Sequence, residues 1–317
     1  MIDFETAERL AFDEVVAFVT ERDLLIVSGP DAESYLQGQL SQDVAGLAVG
    51  GTAWTLLLQP QGKVDAWLRV HRAAADRFLL DTETGFGSAA AARLERFKLR
   101  VDVTIVTVTA PALALRGPGS VEAATSAAAG VLALDATWGG LAGVDLLPAP
   151  GEDGAVTEPT DGWLDDAVPE GPSAVLEAVR VRQGRPAMGT ELGESTIPAA
   201  AGVVDQSVDF TKGCYVGQEL VARIDSRGNN TPTRLHSLRV DGAGDEAEVD
   251  PADLVGAELT VDGGAAGTVT SVARSPSLGV VGLVYLRRSF EAPVRGEVTD
   301  RSGRTRPVAV EALPASS

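Results

Sequence analysis

At Arg227-Gly228-Asn229-Asn230 the chain changes character, and that change constrains the fold more than any other single feature. From Thr233 onward, short apolar runs (Leu259 to Val261, Val269 to Val272, Val280 to Tyr285, Val308 to Val310) alternate with Gly, Asp and Pro turns. Runs this short between turn residues fit a small all-β barrel or sandwich, set apart as a C-terminal domain.

Upstream the texture is mixed. Asp23 to Val27 reads as a strand, followed by Ser28-Gly29-Pro30-Asp31 and a helix over Ala32 to Leu40 that Asp31 is suited to cap. Trp54 to Leu58, the turn Pro60-Gln61-Gly62 and Val64 to His71 read as a β-hairpin. In its second strand Val64, Ala66, Leu68 and Val70 alternate with Asp65, Trp67, Arg69 and His71, so one face is apolar and the other carries an aromatic, a cation and an imidazole. Phe78 to Asp81 and Val101 to Val108 are further strands, with a helix from Ser88 to Lys98 between them. The first part is therefore α+β. A second unit is expected to start near Ala110-Pro111, giving three regions: 1–110, 111–228 (with room to interleave with the first) and 229–317. Pro148 to Pro172 reads as a long surface connection with Trp163 as an anchor, and a helix follows from Ser173 to about Gln183, ended by Gly184 and Pro186.

With 45 acidic against 26 basic residues the net charge is −19, a field that repels phosphate backbones and anionic lipid, so direct nucleic-acid or membrane binding is not expected. Arg93, Arg96 and Arg100 fall at helical spacing and read as a solvated helix face. The opening MIDFETAERL carries acids where a secretory signal has bases, and no apolar run is long enough to span a bilayer; a cytoplasmic protein is expected. One cysteine and two histidines are too few for a zinc site or for a histidine-based triad in any recognisable motif. Thr84-Gly85-Phe86-Gly87-Ser88-Ala89-Ala90 has the glycine spacing of a dinucleotide turn, but the next acid, Asp102, stands at the start of a strand, so these are read as helix-entry glycines.

The single cysteine sits in the string TKGCYVGQE. A short helix over Tyr215 to Ile224 is expected, with Val216, Leu220, Val221 and Ile224 on one face and a Glu219–Arg223 pair on another. That places Cys214 at or just before a helix N-terminus, close in sequence to the Lys212 ammonium, and both influences lower a thiol pKa. The other reading is a buried loop cysteine packed as a small hydrophobe.

Lys212-Gly213-Cys214-Tyr215-Val216-Gly217-Gln218-Glu219 resembles the KGCYxGQE signature of the YgfZ-type folate-binding proteins, relatives of the glycine cleavage T protein. Val27 to Ala32, Tyr35 to Gln39, and Arg180 through Pro186 with Gly189, Glu191 and Pro198 are similar to other parts of that family. The resemblance implies a three-domain cloverleaf with a C-terminal β-barrel and a central tetrahydrofolate site. It also implies iron–sulfur assembly or client proteins as partners, supporting cluster-dependent enzymes such as tRNA-modifying enzymes. Within it Cys214 is the functional thiol, Lys212 its helper, Gly213 and Gly217 permit close approach, and Tyr215, Gln218, Glu219 and Arg223 complete the motif. Gln39, Trp67 and Arg69 are the candidates for a folate pocket: an amide for a ring edge, an indole for stacking, a guanidinium for a carboxylate. A lone cysteine cannot hold a cluster, which needs about four ligands, so further ligands would come from a partner, a second copy or a small thiol.

Two departures bear on activity. Ala66-Trp67 stands where the T protein has paired acids, with Asp65 one or two positions away, and Arg182 stands where it tends to have a glutamate. Aminomethyl transfer is disfavoured, and a folate-dependent aminomethyl or one-carbon transferase is the alternative to an accessory protein.

Overall fold

The computed structural model describes residues 1–151, 155–156, 162–164, 167–242 and 249–314. Its first part contains α1 (Phe4–Asp13), β1 (Val16–Ser28), α2 (Ala32–Gln39), β2 (Thr52–Leu58), β3 (Val64–Ala74), β4 (Arg77–Glu83), α3 (Gly87–Phe97), β5 (Thr104–Arg116), α4 (Ser120–Ala124), β6 (Val131–Asp135) and β7 (Gly143–Pro148). After these come α5 (Ser173–Arg182), α6 (Pro198–Ala201), α7 (Val204–Ser207) and α8 (Gln218–Asp225). The chain continues through β8 (Thr233–Val240), α9 (Pro251–Leu254), β9 (Glu258–Val261), β10 (Gly264–Ser275), β11 (Gly279–Arg287), β12 (Val294–Thr299) and β13 (Thr305–Glu311).

Strands β1 to β7 form one antiparallel sheet in the order β2-β3-β4-β1-β5-β7-β6, and β8 to β13 close into a barrel. This is the α+β architecture with a C-terminal β-barrel expected from the sequence. The point near Ala110-Pro111 lies inside β5, whose pairing with β1 runs unbroken from Thr104 to Arg116. Residues on both sides of it therefore share a sheet. The middle of β1 is sandwiched, with Leu25 and Val27 in one apolar cluster and Leu24 and Ile26 in another, as period-2 alternation requires of a central strand.

Helix α5 joins sheet to barrel because it is apolar on two sides. Val175 and Val179 pack with α1, Val16 and Phe18, while Ala178 and Val181 pack with Leu235, Val281 and Leu283 of the barrel. Between those sides Ser173, Leu176, Glu177 and Arg180 face a cavity. Arg180 extends the bridge, donating to Ser271 Oγ at 2.7 Å, and Tyr285 of β11 donates to the Glu191 carbonyl at 2.8 Å.

Parts of the expected connection from Pro148 to Pro172 lie outside the described residues; Trp163 is buried against Leu113, Leu115, Val144 and Leu146. Two local expectations need correction. Asp31 precedes α2 but makes no side-chain cap; its carboxylate accepts instead from the backbone N–H of Asp102 at 2.8 Å, tying the turn to the entry of β5. Arg93 is not on a solvated face. It is buried, paired with Asp65 at 3.0 Å, and stacked over Phe97 at 3.7 Å.

Candidate functional site

The cysteine-bearing loop is held by its lysine. Lys212 Nζ donates to three backbone carbonyls, Gln37 at 2.8 Å and Leu40 and Gln42 at 2.7 Å, at the C-terminal end of α2 and just beyond it. A helix C-terminus presents unpaired carbonyls and favours a cation, so an ammonium here satisfies groups the backbone cannot. Burial pulls the Lys212 pKa down to about 8, against the charges of Asp43 and Asp209. The backbone N–H of Val216 adds a bond to the Gly38 carbonyl at 3.2 Å, and Asp209 Oδ1 accepts from the N–H groups of Thr211 and Lys212. Lys212 thus fixes the loop rather than pairing with the thiol.

Cys214 is exposed, against the buried-loop reading. The helix that follows begins later than the pattern indicated: α8 starts at Gln218, with Gly217 as its cap. Cys214 therefore lies three residues ahead of that cap, and the field of a short helix falls off within a turn. Residues Tyr215 to Gly217 form a turn, in which the Gln218 side-chain oxygen accepts from the Tyr215 N–H at 3.1 Å. Burial pushes the Tyr215 phenol up to about 12. Gly217 has φ of +85°, and a Cβ there would stand 2.5 Å from the Gln59 carbonyl oxygen. Opposite it, a Cβ on Gly62 would stand 2.6 Å from Leu220 Cβ, so the hairpin turn and the signature turn meet through two glycines. The close approach at Gly217 is to backbone, whereas Gly213 has open space beside it. Glu219 and Arg223 are both exposed and form no ion pair with each other.

The three expected folate contacts are all engaged inside the protein. Trp67 is stacked on Trp54 with centroids 4.3 Å apart, meets Trp138 edge-on at 5.3 Å, and donates from Nε1 to Ser207 Oγ at 2.9 Å. Arg69 is completely buried, with Nε and Nη2 on the two oxygens of Asp81 at 2.8 and 2.9 Å, and Nη2 also 2.9 Å from Asp145 Oδ2. Gln39 accepts a long bond, 3.4 Å, from Arg93. Asp65, the carboxylate nearest the T protein's paired acids, is tied to Arg93 in a separate cleft.

Beneath Trp67 the sheet carries charge into its interior. Asp81 also accepts from Arg22 at 2.7 Å, and Asp145 Oδ1 from Arg116 at 2.8 Å, so two carboxylates serve three guanidiniums. Burial alone would raise the pKa of Asp145, but Arg116 and then Arg69 and Arg185 hold it well below the usual range. For Arg69 burial opposes the charge, and Asp81 and Asp145 more than restore it. Arg22, Arg116 and Asp145 line a cavity of about 340 Å³, closed on its other side by α5 and by Arg185. Arg185 is 8% exposed and lies over the indoles of Trp54 and Trp67 at 5.1 and 5.4 Å. Its Nε has no hydrogen-bond partner, and burial draws its pKa down to about 9.

Sequence reasoning passed over Arg22, Asp81, Arg116, Asp145 and Arg185. A signal existed for three of them: each is a lone charge set beside apolar strand residues, as in Leu79-Leu80-Asp81, Leu113-Ala114-Leu115-Arg116 and Val144-Asp145-Leu146, whereas Arg22 is masked by its charged neighbours Glu21 and Asp23. The glycine turn before α3 is filled from within, because Asp23 Oδ2 accepts from the N–H groups of Gly85 and Gly87, both at 2.8 Å. The histidines are structural. His71 is buried and bonded to Thr52, with burial lowering its pKa against the pull of Asp81, and His236 contacts the Arg234 carbonyl. Among the described residues no group of three or more His, Cys, Asp or Glu side chains is placed to hold a metal, and no helix is long and apolar enough to cross a membrane.

Comparison with known proteins bears on the fold and the signature together. Residues 18–137 match the family model of the GCVT N-terminal domain. The crystal structure of glycine cleavage system aminomethyltransferase T from Bartonella henselae is similar with a TM-score of 0.79, covering 98% of this chain and 89% of that one at 20% identity. The three-domain fold of the glycine cleavage T protein is thereby the fold of this chain. The tRNA-modifying protein YgfZ of Klebsiella pneumoniae is 29% identical over 73% of this chain and 74% of its own. An iron–sulfur cluster assembly factor IBA57 homolog from Phaeosphaeria nodorum is 26% identical over 78% of this chain and 62% of its own. The matched domain and these relatives together are consistent with a YgfZ-type family related to the glycine cleavage T protein.

Proposed function

We propose that this protein is a tetrahydrofolate-binding accessory factor of iron–sulfur cluster assembly or repair, indirectly supporting cluster-dependent enzymes such as those that modify tRNA, with Cys214 as its functional thiol. The observation that carries the reading is the exposed Cys214 on a loop fixed by Lys212, on a fold whose hairpin has Ala66-Trp67 in place of paired acids. The names of the YgfZ and IBA57 relatives support cluster chemistry as the setting.

The cavity between the sheet and α5 suits a folate better than Gln39, Trp67 or Arg69 do, because it is roomy and one of its guanidiniums lacks a partner. Arg185 and Glu83 are the groups on hand to hold it, one for an anionic end and one for ring N–H donors. When bound, a reduced folate supplies secondary amines able to carry a one-carbon unit. The protein's own contribution is to bind and orient it and to present a thiol on a separate rigid loop. Further ligands for any iron would come from outside the chain.

The similarity to an aminomethyltransferase keeps a one-carbon transferase as the second reading. It needs a free acid near the hairpin, and Asp65 is instead held by Arg93. The test is titration of the purified protein with tetrahydrofolate, joined to complementation of a strain lacking its own family member, read by an iron–sulfur-dependent tRNA modification. Binding together with loss of complementation in Cys214→Ser supports the proposal. No binding with full complementation by Cys214→Ser overturns it, and loss of one-carbon turnover on Asp65→Asn favours the transferase.

A further inference from the structure

Four buried guanidiniums, those of Arg22, Arg69, Arg116 and Arg185, gather around two buried carboxylates. Both carboxylates are fully engaged. Asp81 meets Arg22 and Arg69, and Asp145 meets Arg69 and Arg116. Arg185 remains over, with no carboxylate within ion-pairing distance among the described residues and an unpartnered Nε. Of the other acids on the cavity wall, Glu177 is engaged with Arg180, and Glu21 is exposed. Glu83 accepts the Met188 N–H at 2.8 Å and offsets Arg185 only in part. A buried cation without a partner is costly, whereas one that meets an anion in a cavity is not.

We infer that Arg185 is the anchor of a carboxylate subsite in the cavity between the sheet and α5. A carboxylate suits the place better than a phosphate. Its single charge matches the one unpaired guanidinium, its planar pair of oxygens matches the fork, and a dianion would face Asp145 and Glu83. The inference rests on the folate reading for the identity of the whole ligand, in which one of the two carboxylates of the glutamate moiety occupies the subsite and the other stays outside it. The anion site itself stands without that reading. Arg185 also gives the site a reporter, since its guanidinium covers Trp54 and Trp67, and an anion drawn to it alters their emission.

The experiment titrates the full chain with p-aminobenzoyl-glutamate, tetrahydropterin and tetrahydrofolate, followed by tryptophan emission and calorimetry, in the wild type, Arg185→Met and Arg185→Lys. The expected result is that Arg185→Met weakens p-aminobenzoyl-glutamate and tetrahydrofolate by about tenfold or more, as loss of a charge-assisted bond implies, and leaves tetrahydropterin unchanged. Arg185→Lys keeps a cation in the cavity and loses only the fork, so it tests the same point should the methionine variant fail to fold; a severalfold weakening of the two carboxylate ligands is expected. Failure of p-aminobenzoyl-glutamate to bind the wild type, or equal affinity in the variants, overturns the inference even if tetrahydrofolate binds. Arg185-dependent binding of p-aminobenzoyl-glutamate without any binding of tetrahydrofolate upholds the anion site and removes the folate reading.

Discussion

The barrel and the seven-stranded sheet are both antiparallel, yet they fill their interiors in opposite ways. Inside the barrel the buried cluster is largely aliphatic, with Leu238, Leu259, Val269, Val284, Val298 and Val308 in it, and the buried Arg306–Asp300 pair stands apart at the β12–β13 turn. Beneath the sheet, Arg22, Arg69 and Arg116 are buried on Asp81 and Asp145. An aliphatic interior is stable by exclusion of water and offers a ligand nothing to recognise. A buried charge network is stable only while every member is paired, and its one unmatched member is where recognition is possible. The difference makes the barrel a support and leaves the sheet as the place for the proposed site.

The comparison is tested most severely at Asp81. Asp81→Ala strands two buried guanidiniums and is expected to cost about 3–5 kcal/mol. Val284→Ala in the barrel removes only buried hydrocarbon and is expected to cost about 2 kcal/mol. Denaturant midpoints of the two variants check the order, and a milder loss at Asp81 would mean that the network is slack.

Acid should find the same weakness. The Asp145 pKa lies below its ordinary 3.8 in the folded protein, so its contribution is complete above that pH and is lost as pH falls further. Trp54, Trp67 and Trp138 cluster beside the network, and the barrel has no tryptophan, so tryptophan emission follows the sheet alone. A midpoint that declines with pH below 3.8 by this signal is expected.

Lys212→Met leaves three carbonyls without their ammonium and is expected to cost about 1.5–3 kcal/mol, with faster hydrogen exchange confined to 209–216 and the end of α2. Unchanged exchange there would show that the loop holds its shape without the lysine. The smallest effect is Arg223→Ala. Fully outside both interiors and unpaired with Glu219, this position should shift stability by less than about 0.5 kcal/mol, measured by the same denaturation.

Much of the framework was legible. Strand periodicity located β2, β3 and β4 to within three residues, and the Gly, Asp and Pro spacing after Thr233 announced the barrel. The signature loop announced itself through a rare residue in a fixed string. What stayed hidden was partnership across the fold. Trp67 and Arg69 have the residue types a ligand would want, and nothing in their own strand shows that Trp54, Ser207, Asp81 and Asp145 already claim them. Arg185 was passed over for the reverse reason: it follows Gly184 and precedes Pro186, the texture of a surface turn, and only the packing buries it. Lys212 was seen but given the wrong neighbour, since adjacency in sequence to Cys214 counted for less than three carbonyls some 170 residues upstream.

The meeting of Gly62 and Gly217 makes the β2–β3 hairpin a common strut. One end of that ladder abuts the turn after Cys214, and Trp54 and Trp67 farther along it lie under the Arg185 guanidinium. Five residues of paired strand, about 17 Å at the usual rise, separate Gly62 from Trp67. A spin label on Cys214 should therefore sense whether the chamber near Arg185 is filled, although Cys214 does not line that chamber.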